Sequence, residues 1–391
     1  MGEAPSGEPR LLTGENLDAL VGVLAARGWT VVGPTVRDGA VVYDRLASAR
    51  DLPEGWSDEQ GPGTYRLRRT GGPARFSYSV GPHSWKQFLF PPERLLWRAA
   101  REGAGFRVLT EDTPPPRYAF LGVRACELAA IAVQDRVFLG GTYTDPDYRA
   151  RRERAFLVAV NCGQAGASCF CASLGTGPRA TSGYDLVLTE LLDGERHDFL
   201  VAAGSEPGRQ VLDALPTRPA APADLAAAEQ ATAHAAAQQV RAVALDGLKA
   251  ALEDRLDSPR WDEIAGRCLT CGNCTQVCPT CFCVAVEDTT DLAGMSAARL
   301  RRWDSCFSLD FSYLHGGSVR RSGKARYRQW LTHKFAGWVD QFGTVGCVGC
   351  GRCITWCPAG IDITAELASL RAEAAPAGEG AHDGGDGPDD A

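Results

Sequence analysis

The chain has no long hydrophobic run. No window reaches the roughly 18 uninterrupted apolar residues of a membrane span, which excludes a bilayer-crossing helix and leaves no membrane partner to expect. The N-terminus, MGEAPSGEPR, has neither the basic nor the apolar region of a signal peptide, so the expected location is cytoplasmic. Positive charge is not in excess either. With 41 Lys and Arg against 48 Asp and Glu the formal net charge is -7, which argues against a general nucleic-acid binder. No G-x-G-x-x-G follows a strand-like run and no P-loop occurs, so the common phosphate cradles are missing. The six histidines are scattered, and His83 in GPHSWKQFLFPP and His315 in YLHGGS have no acid or nucleophile at a telling spacing; both read as packing or surface.

What the chain does have is cysteine, fifteen in 391 residues. A reducing compartment disfavours structural disulfides, so this number points to metal ligation or catalysis. The cysteines are clustered. Cys126, Cys162, Cys169 and Cys171 fall in the first half, and the other eleven lie between Cys268 and Cys357.

The periodicity predicts an α+β protein: an N-terminal α/β domain followed by an all-helical dicluster ferredoxin domain. Residues 1–10 read as a disordered N-terminus. Over residues 11–215 the helical stretch ENLDALVGVLAARG and the apolar runs TVVGP, YAFLGV, AFLVAV, DLVLTEL and HDFLVAA suggest helices interleaved with a partly parallel sheet. Residues 216–257 open with the punctuated stretch PTRPAAP and continue as Ala-rich helices. Residues 258–373 carry the densest cysteine motifs with no hairpin signal between them. In KARYRQWLTHKFAGWVDQFG, the residues Tyr327, Trp330, Leu331, Trp338 and Phe342 fall on helical spacing and read as core packing. Residues 374–391 are rich in Gly, Ala and Asp and read as a disordered tail.

Cys268-x2-Cys271-x2-Cys274-x3-Cys278-Pro279 recurs as Cys347-x2-Cys350-x2-Cys353-x3-Cys357-Pro358. Each is the bacterial-type run for a 4Fe-4S cluster, in which three thiolates hold one cluster and the fourth holds the other. The crossed expectation is therefore Cys268, Cys271, Cys274 and Cys357 on the first cluster, with Cys347, Cys350, Cys353 and Cys278 on the second. Proline after the fourth cysteine stops the local turn from continuing as helix. Zinc sites use paired ligands across a spacer, and neither the triple repeat nor its recurrence with proline fits that pattern. The long interval between the two motifs fits the all-helical variety of dicluster ferredoxin.

Seven cysteines remain. Cys281 and Cys283 follow Pro279 closely in CPTCFC, and Cys306 sits in RRWDSCF; as free thiols they would be buried packing. The tripeptide CFC also occurs at Cys169-Phe170-Cys171. Cys126 and Cys162 each lie just past an apolar run, and in a parallel sheet such strand ends share one edge, where α/β folds place ligands. Cys126, Cys162, Cys169 and Cys171 are thus candidates for a third cluster, against inert thiols or a site shared with Cys281, Cys283 and Cys306, which stay unassigned. Between Arg299 and Lys334 there are nine Lys or Arg against two Asp. That net of +7 is read as a solvated helix face, as cations offsetting cluster charge, or as a docking surface for an acidic partner.

The second half, through CxxCGNCTxVCPTCFC, RWDSCFSLDFSYLHGGSVR, RYRQWLTHKF and QFGTVGCVGCGRCITWCPAGIDIT, resembles the iron–sulfur beta subunit of cytoplasmic sulfhydrogenase-type nickel–iron hydrogenases. It is equally similar to the iron–sulfur subunit of anaerobic sulfite reductase, which is of the same family. The first half resembles it through GPHSWKQFLFPP, GVRACELAAI, DPDYRARRE and CFCASLGTGP. The resemblance implies a non-catalytic electron-transfer subunit with two 4Fe-4S clusters and room for a third. Its implied partners are a flavin subunit that handles NAD(P)H and the small and large hydrogenase subunits, or the sulfite reductase subunits. A reductase with its own substrate-binding cluster lacks any acid–base pair beside the cysteines. A zinc-stabilised nucleic-acid module is at odds with the charge and the ferredoxin spacing.

Overall fold

The runs that alternate or cluster Val, Leu, Phe and Ala in the first half lie in strands of one eight-stranded sheet. The structure, a computed structural model, describes residues 8–79, 81–109, 114–194 and 196–372. The expected disordered tail over 374–391 and residues 1–7 of the expected disordered N-terminus lie outside the described residues, while Arg10 already opens a strand.

In chain order the strands are β1 (Arg10–Thr13), β2 (Thr30–Arg37), β3 (Ala40–Arg45), β4 (Trp56–Gly61) and β5 (Thr64–Arg69). Then come β6 (Glu93–Glu102), β7 (Gly105–Leu109), β8 (Tyr118–Val123), β9 (Phe156–Val160), β10 (Leu186–Asp193) and β11 (Arg196–Ala203). Last are β12 (Arg218–Pro219), β13 (Val284–Thr290) and β14 (Ser296–Trp303). The main sheet has the order β12-β1-β11-β10-β9-β8-β2-β3. Its centre is parallel, β10 on β9, β9 on β8 and β8 on β2, with antiparallel pairs at both sides.

Central parallel strands are covered on both faces, and this explains their continuous apolar runs. In β9, Phe156, Val158 and Val160 join the core that packs the helix Leu17–Ala26. Leu157 and Ala159 face the opposite core, with Leu128 and Ile131 of the helix Ala125–Phe138. β8 and β9 end side by side, Val123 opposite Ala159, and the chain leaves them at Arg124 and Asn161. The shared strand edge thus carries Cys126 and Cys162 to one place. The pairing is irregular at Leu121 to Val123, where Gly122 has φ +95° and a side chain would press on Pro34 and Phe76. Bulges of this kind re-aim the chain beside functional sites.

The region 258–373 is not all-helical. Its helices, including Arg260–Arg267, Gly323–Thr332 and Ile363–Ala372, pack Trp261, Ile264, Tyr327, Trp330, Leu331 and Leu367 into a second core. Between the two cysteine motifs, however, β13 and β14 form an antiparallel hairpin, and β14 pairs with β6 of the first half in the sheet β13-β14-β6-β7. Val284 to Trp303 reads VAVEDTTDLAGMSAARLRRW, with good helix formers and no clean alternation, because neither face is deeply buried. Its pairing partner lies about two hundred residues upstream, so tertiary contact and not local propensity decides its form.

Candidate iron–sulfur site

The two ferredoxin motifs fold as near copies. Each passes through a left-handed glycine, Gly272 with φ +72° and Gly351 with φ +75°, into a four-residue helix holding its third cysteine, Asn273–Gln276 and Arg352–Thr355. In each, the sulfur of the first cysteine accepts a bond from the backbone N–H two residues on: Thr270 to Cys268 at 3.4 Å and Gly349 to Cys347 at 3.5 Å. Amides aimed at sulfur in this way suit a thiolate that carries charge.

Cys268, Cys271, Cys274 and Cys357 line one cavity, with Cys353 at its wall and Phe307, Tyr327, Trp330 and Ile361 around them. The four cysteines that the crossed spacing groups together thus meet at one cavity. The Tyr327 hydroxyl and the Trp330 indole N–H are buried and have no hydrogen-bond partner among the described residues. Unpaired buried donors are costly, and sulfur acceptors beside them would fit. The aromatic face of the helix Gly323–Thr332 packs the core, as expected, and also walls the thiols. Cys271 is exposed and Leu269 beside it is 65% exposed, so this cavity lies at the protein surface.

Cys347, Cys350, Cys353 and Cys278 form a deeper group. Burial raises the Cys347 thiol to about 12 and the Cys353 thiol well above its ordinary range, with neighbouring cysteine sulfurs adding to both. Deprotonating them here requires positive charge nearby, which iron supplies. Lys334 is the protein's own contribution. The helix from Gly323 opens into a π-turn at His333–Gly337, and such a turn re-aims the side chains it holds. Lys334, only 5% exposed, bonds Gly346 O at 2.9 Å, Thr280 Oγ1 at 3.1 Å and Cys278 Sγ at 3.4 Å. Burial alone would lower its pKa, but Cys278, Cys281, Cys347 and Cys353 hold it well above the usual lysine value. The hydrogen bond from Cys281, with the Lys334 charge and against burial, keeps Cys278 well below the usual thiol range.

The four cysteines of the first half, Cys126, Cys162, Cys169 and Cys171, line a single cavity together with Arg124, Gly166, Pro178 and Gln239. Burial first, then the neighbouring sulfurs, raises the Cys126 and Cys169 thiols and brings Cys171 to about 12. Cys162 is raised by burial in spite of the Arg124 guanidinium, whose Nη1 stands 3.9 Å from its sulfur. Four thiols lining one cavity, with the Arg124 guanidinium among them, are a donor set suited to an iron–sulfur cluster. Among the described residues, no group of three or more His, Cys, Asp or Glu side chains is drawn together tightly enough for a single metal ion.

Cys281, Cys283 and Cys306 are not part of that cavity. Cys281 lies beside Cys278, and Cys283 beside Cys306. The loop carrying them is pinned by Phe282, which sits edge-on between Phe138 and Trp338 with ring centroids 6.1 and 5.9 Å away. Lys86, also buried, bonds Cys281 O at 3.2 Å and lies over the Trp303 ring. Five of the nine cations of the basic stretch are paired with carboxylates: Arg299 with Asp288, Arg301 with Asp145, Arg302 with Glu93 and Glu287, Lys324 with Asp262 and Arg328 with Asp257. Lys334 is the member that reaches the thiols.

The CFC unit of the first half and the second ferredoxin motif are packed against each other. Phe170 N donates to Gly349 O at 2.9 Å, and Thr176 Oγ1 to Val348 O at 2.8 Å. Cys126, Cys171 and Val348 share a small core with Cys350 beside it. Between the same loops, Arg352 and Glu127 form a fully buried ion pair, and Glu127 also accepts from Tyr43 Oη, Trp85 Nε1 and Arg124 N. Arg352 Nε donates to Gly81 O and His83 O, so His83 serves through its backbone. Spacing signals find every cysteine of these groups. They do not pick out Lys86, Lys334, Glu127 or Arg352, although each lies within a stretch that carries the family resemblance.

Residues 267–361 match the family described as 4Fe-4S dicluster domain. The chain is 33% identical over 297 residues to sulfhydrogenase 2 subunit beta of Pyrococcus furiosus, an alignment covering 72% of this chain and 83% of that protein. No solved structure matches the chain. None of the helices among the described residues is long and apolar enough to cross a membrane.

Proposed function

The chain belongs to the sulfhydrogenase subunit beta family and carries a 4Fe-4S dicluster domain, and from that premise we propose that it relays electrons between a flavin subunit handling NAD(P)H and the catalytic subunits of a nickel–iron hydrogenase. Cys268, Cys271, Cys274 and Cys357 would hold one cluster, Cys347, Cys350, Cys353 and Cys278 a second, and Cys126, Cys162, Cys169 and Cys171 a third. Bound there, such clusters supply one-electron storage at potentials set by charge, hydrogen bonds and exposure.

The observation that carries this reading is the junction of the CFC loop with the second motif. Val348 packs on Cys126 and Cys171 with Cys350 alongside, so protein atoms and not water fill the space between two thiol groups. Cys353 is the next link, since it belongs to the second motif and walls the cavity of the first. The residues thereby set out three thiol groups in series, from the strand edge of the first half to exposed Cys271. The chain's own side chains hold the thiolates, exclude solvent and fix the spacing; nothing in the three groups offers an acid–base pair for turnover.

Iron and acid-labile sulfide per chain after anaerobic purification test this reading, with zinc measured on the same sample. About twelve irons are expected, about eight would overturn the third cluster, and zinc in place of iron would overturn the relay. Purification of the native complex tests the partner: nickel with a flavin subunit is expected, and sirohaem in its place would move the chain to sulfite reduction.

A further inference from the structure

Cys278 and Cys357 occupy the same position in their motifs, the fourth, yet the structure surrounds their sulfurs differently. The sulfur of Cys357 is met by one donor among the described residues, the backbone N–H of Ile361 at 3.4 Å. The sulfur of Cys278 lies 3.4 Å from Lys334 Nζ, a cationic donor, and 3.1 Å from Thr280 Oγ1, and the Cys281 sulfur, 3.8 Å from the same ammonium, is close by. Lys334 has three N–H groups and four acceptors within reach, Gly346 O, Thr280 Oγ1, Cys278 Sγ and Cys281 Sγ at 3.8 Å, of which Cys278 Sγ is the nearer sulfur. The Thr280 hydroxyl has a single hydrogen, which also has Gly346 O within 2.7 Å. A carbonyl oxygen accepts two bonds, so the hydroxyl hydrogen stays on Gly346 O and Lys334 is the charged donor left to the sulfur.

We propose that Cys278 is the thiolate through which the protein raises the reduction potential of one ferredoxin-type cluster above that of the other, with Lys334 and Cys281 as the positioning residues that act on it. The inference rests on the crossed ligand assignment above and deepens it, because it assigns the two clusters different places in the electron path. Hydrogen bonds to ligand sulfur and local positive charge favour the reduced, more negative state of a cluster. A charge-assisted bond is roughly twice as strong as a neutral one, and a cation excluded from water acts at reduced dielectric. Among the described residues no cation hydrogen-bonds a sulfur of Cys268, Cys271, Cys274 or Cys357; Arg326 acts on Cys268 only as a nearby charge, and the uncharged donors at that cavity are the Tyr327 hydroxyl and the Trp330 indole. The backbone bonds to Cys268 and Cys347, at 3.4 and 3.5 Å, are nearly equal, so the asymmetry resides at the fourth ligand. One of the extra cysteines thereby gains a role, since on this reading Cys281 acts on a ligand and is not itself a ligand.

The geometry around Lys334 explains why the pairing is stable. Gly346 precedes Cys347 and Thr280 follows Cys278, so one ammonium group fastens both stretches of chain that bring ligands to the same cluster. Lys86 bonds the Cys281 carbonyl and no thiol, which makes it the internal comparison.

The test is an EPR-monitored redox titration of the full-length protein, reconstituted anaerobically, for wild type, Lys334→Met, Lys334→Arg, Cys281→Ala and Lys86→Met. Iron per chain is measured first on each sample. Wild type should show two ferredoxin-type signals of different midpoint. Lys334→Met should lower the higher midpoint by at least about a tenfold change in its one-electron equilibrium, which is about 59 mV, and leave the lower one in place. Lys334→Arg should restore part of the shift, Cys281→Ala should give a smaller shift of the same sign, and Lys86→Met less still. Unchanged midpoints in both Lys334→Met and Cys281→Ala at full iron content would overturn the proposal. If Lys334→Met fails to retain iron, Cys281→Ala decides alone. Loss of about four irons from Cys281→Ala would make Cys281 a ligand and likewise overturn it. Wild-type protein with clearly fewer than about eight irons would instead overturn the cluster assignment on which the proposal stands.

Discussion

Replacing Arg352 with methionine should destabilise the protein by about 3–5 kcal/mol, because it leaves the carboxylate of Glu127 buried without its cation. Arg352 and Glu127 are 0% and 1% exposed, so no water can take over the lost partner. Glu127 would keep Tyr43, Trp85 and the Arg124 backbone as donors, but these neutral groups do not balance a full charge. The double variant Glu127→Gln with Arg352→Met should cost less than the sum of the single changes, since it removes the stranded charge. Denaturant midpoints of the anaerobic protein, with the visible cluster absorbance as a second probe, check this. A cost below about 1 kcal/mol for Arg352→Met would mean that the pair does not hold the two halves together.

The second large effect is expected at Gly349. Its φ is +63°, and a Cβ placed there would stand 2.6 Å from both Cα and N of Cys171 and 2.7 Å from the carbonyl carbon of Phe170. The obstacle is backbone, which cannot swing aside as a side-chain tip can. Gly349→Val should therefore part the second motif from the CFC loop, at a cost of about 1–3 kcal/mol for the backbone strain alone. In iron analysis the variant should fall by about four irons if the third group is a cluster braced by this contact. EPR should show the ferredoxin-type signals retained. Gly266→Ala is the control: its site is open, it lies within the helix Arg260–Arg267, and it should be neutral or stabilising by up to about 1 kcal/mol. Full iron and unaltered stability in Gly349→Val would remove the junction from the proposed electron path.

These two predictions concern residues that the sequence does not advertise, and the reason is physical. A cysteine motif is legible because three thiolates must surround one object within a single turn, so the requirement is local and appears as spacing. Cys268, Cys271 and Cys274 are readable on that ground, and so is the link to Cys357, since the step of three residues carries the fourth sulfur away. Cys126 and Cys162 are readable as partners because parallel strands share an edge. Their convergence with Cys169 and Cys171 on one cavity needs the chain to return through the loop after β9. Nothing local marks the destination of that loop.

Buried ion pairs and hairpin edges are of the other kind. Arg352 and Glu127 are 225 residues apart, and each by itself looks like an ordinary charged residue near the start of a helix. Lys334 is one of nine cations in a basic stretch, and nothing in the sequence separates it from the other eight. The π-turn that aims it inward is set by how the helix packs, not by a residue with unusual propensity. The segment of β13 and β14 reads as helical because Ala, Leu, Arg and Glu favour helix when nothing else acts on them, and what acts here is the edge of β6.

Short-range rules acting on the bare chain thus suffice for the parallel-centred sheet, the two ferredoxin motifs and the apolar faces that build the two cores. Those rules are side-chain periodicity of about two or 3.6 residues, and sulfur spacing around a compact cofactor. Only the folded chain brings the first-half thiols to the second motif, leads Lys334 and Cys281 to Cys278, and puts a hairpin in place of helix between the motifs. Each of those depends on free energies that exist only once distant segments exclude water from one another: a charge forced to find its partner, a glycine pressed on backbone, and an edge strand given something to pair with.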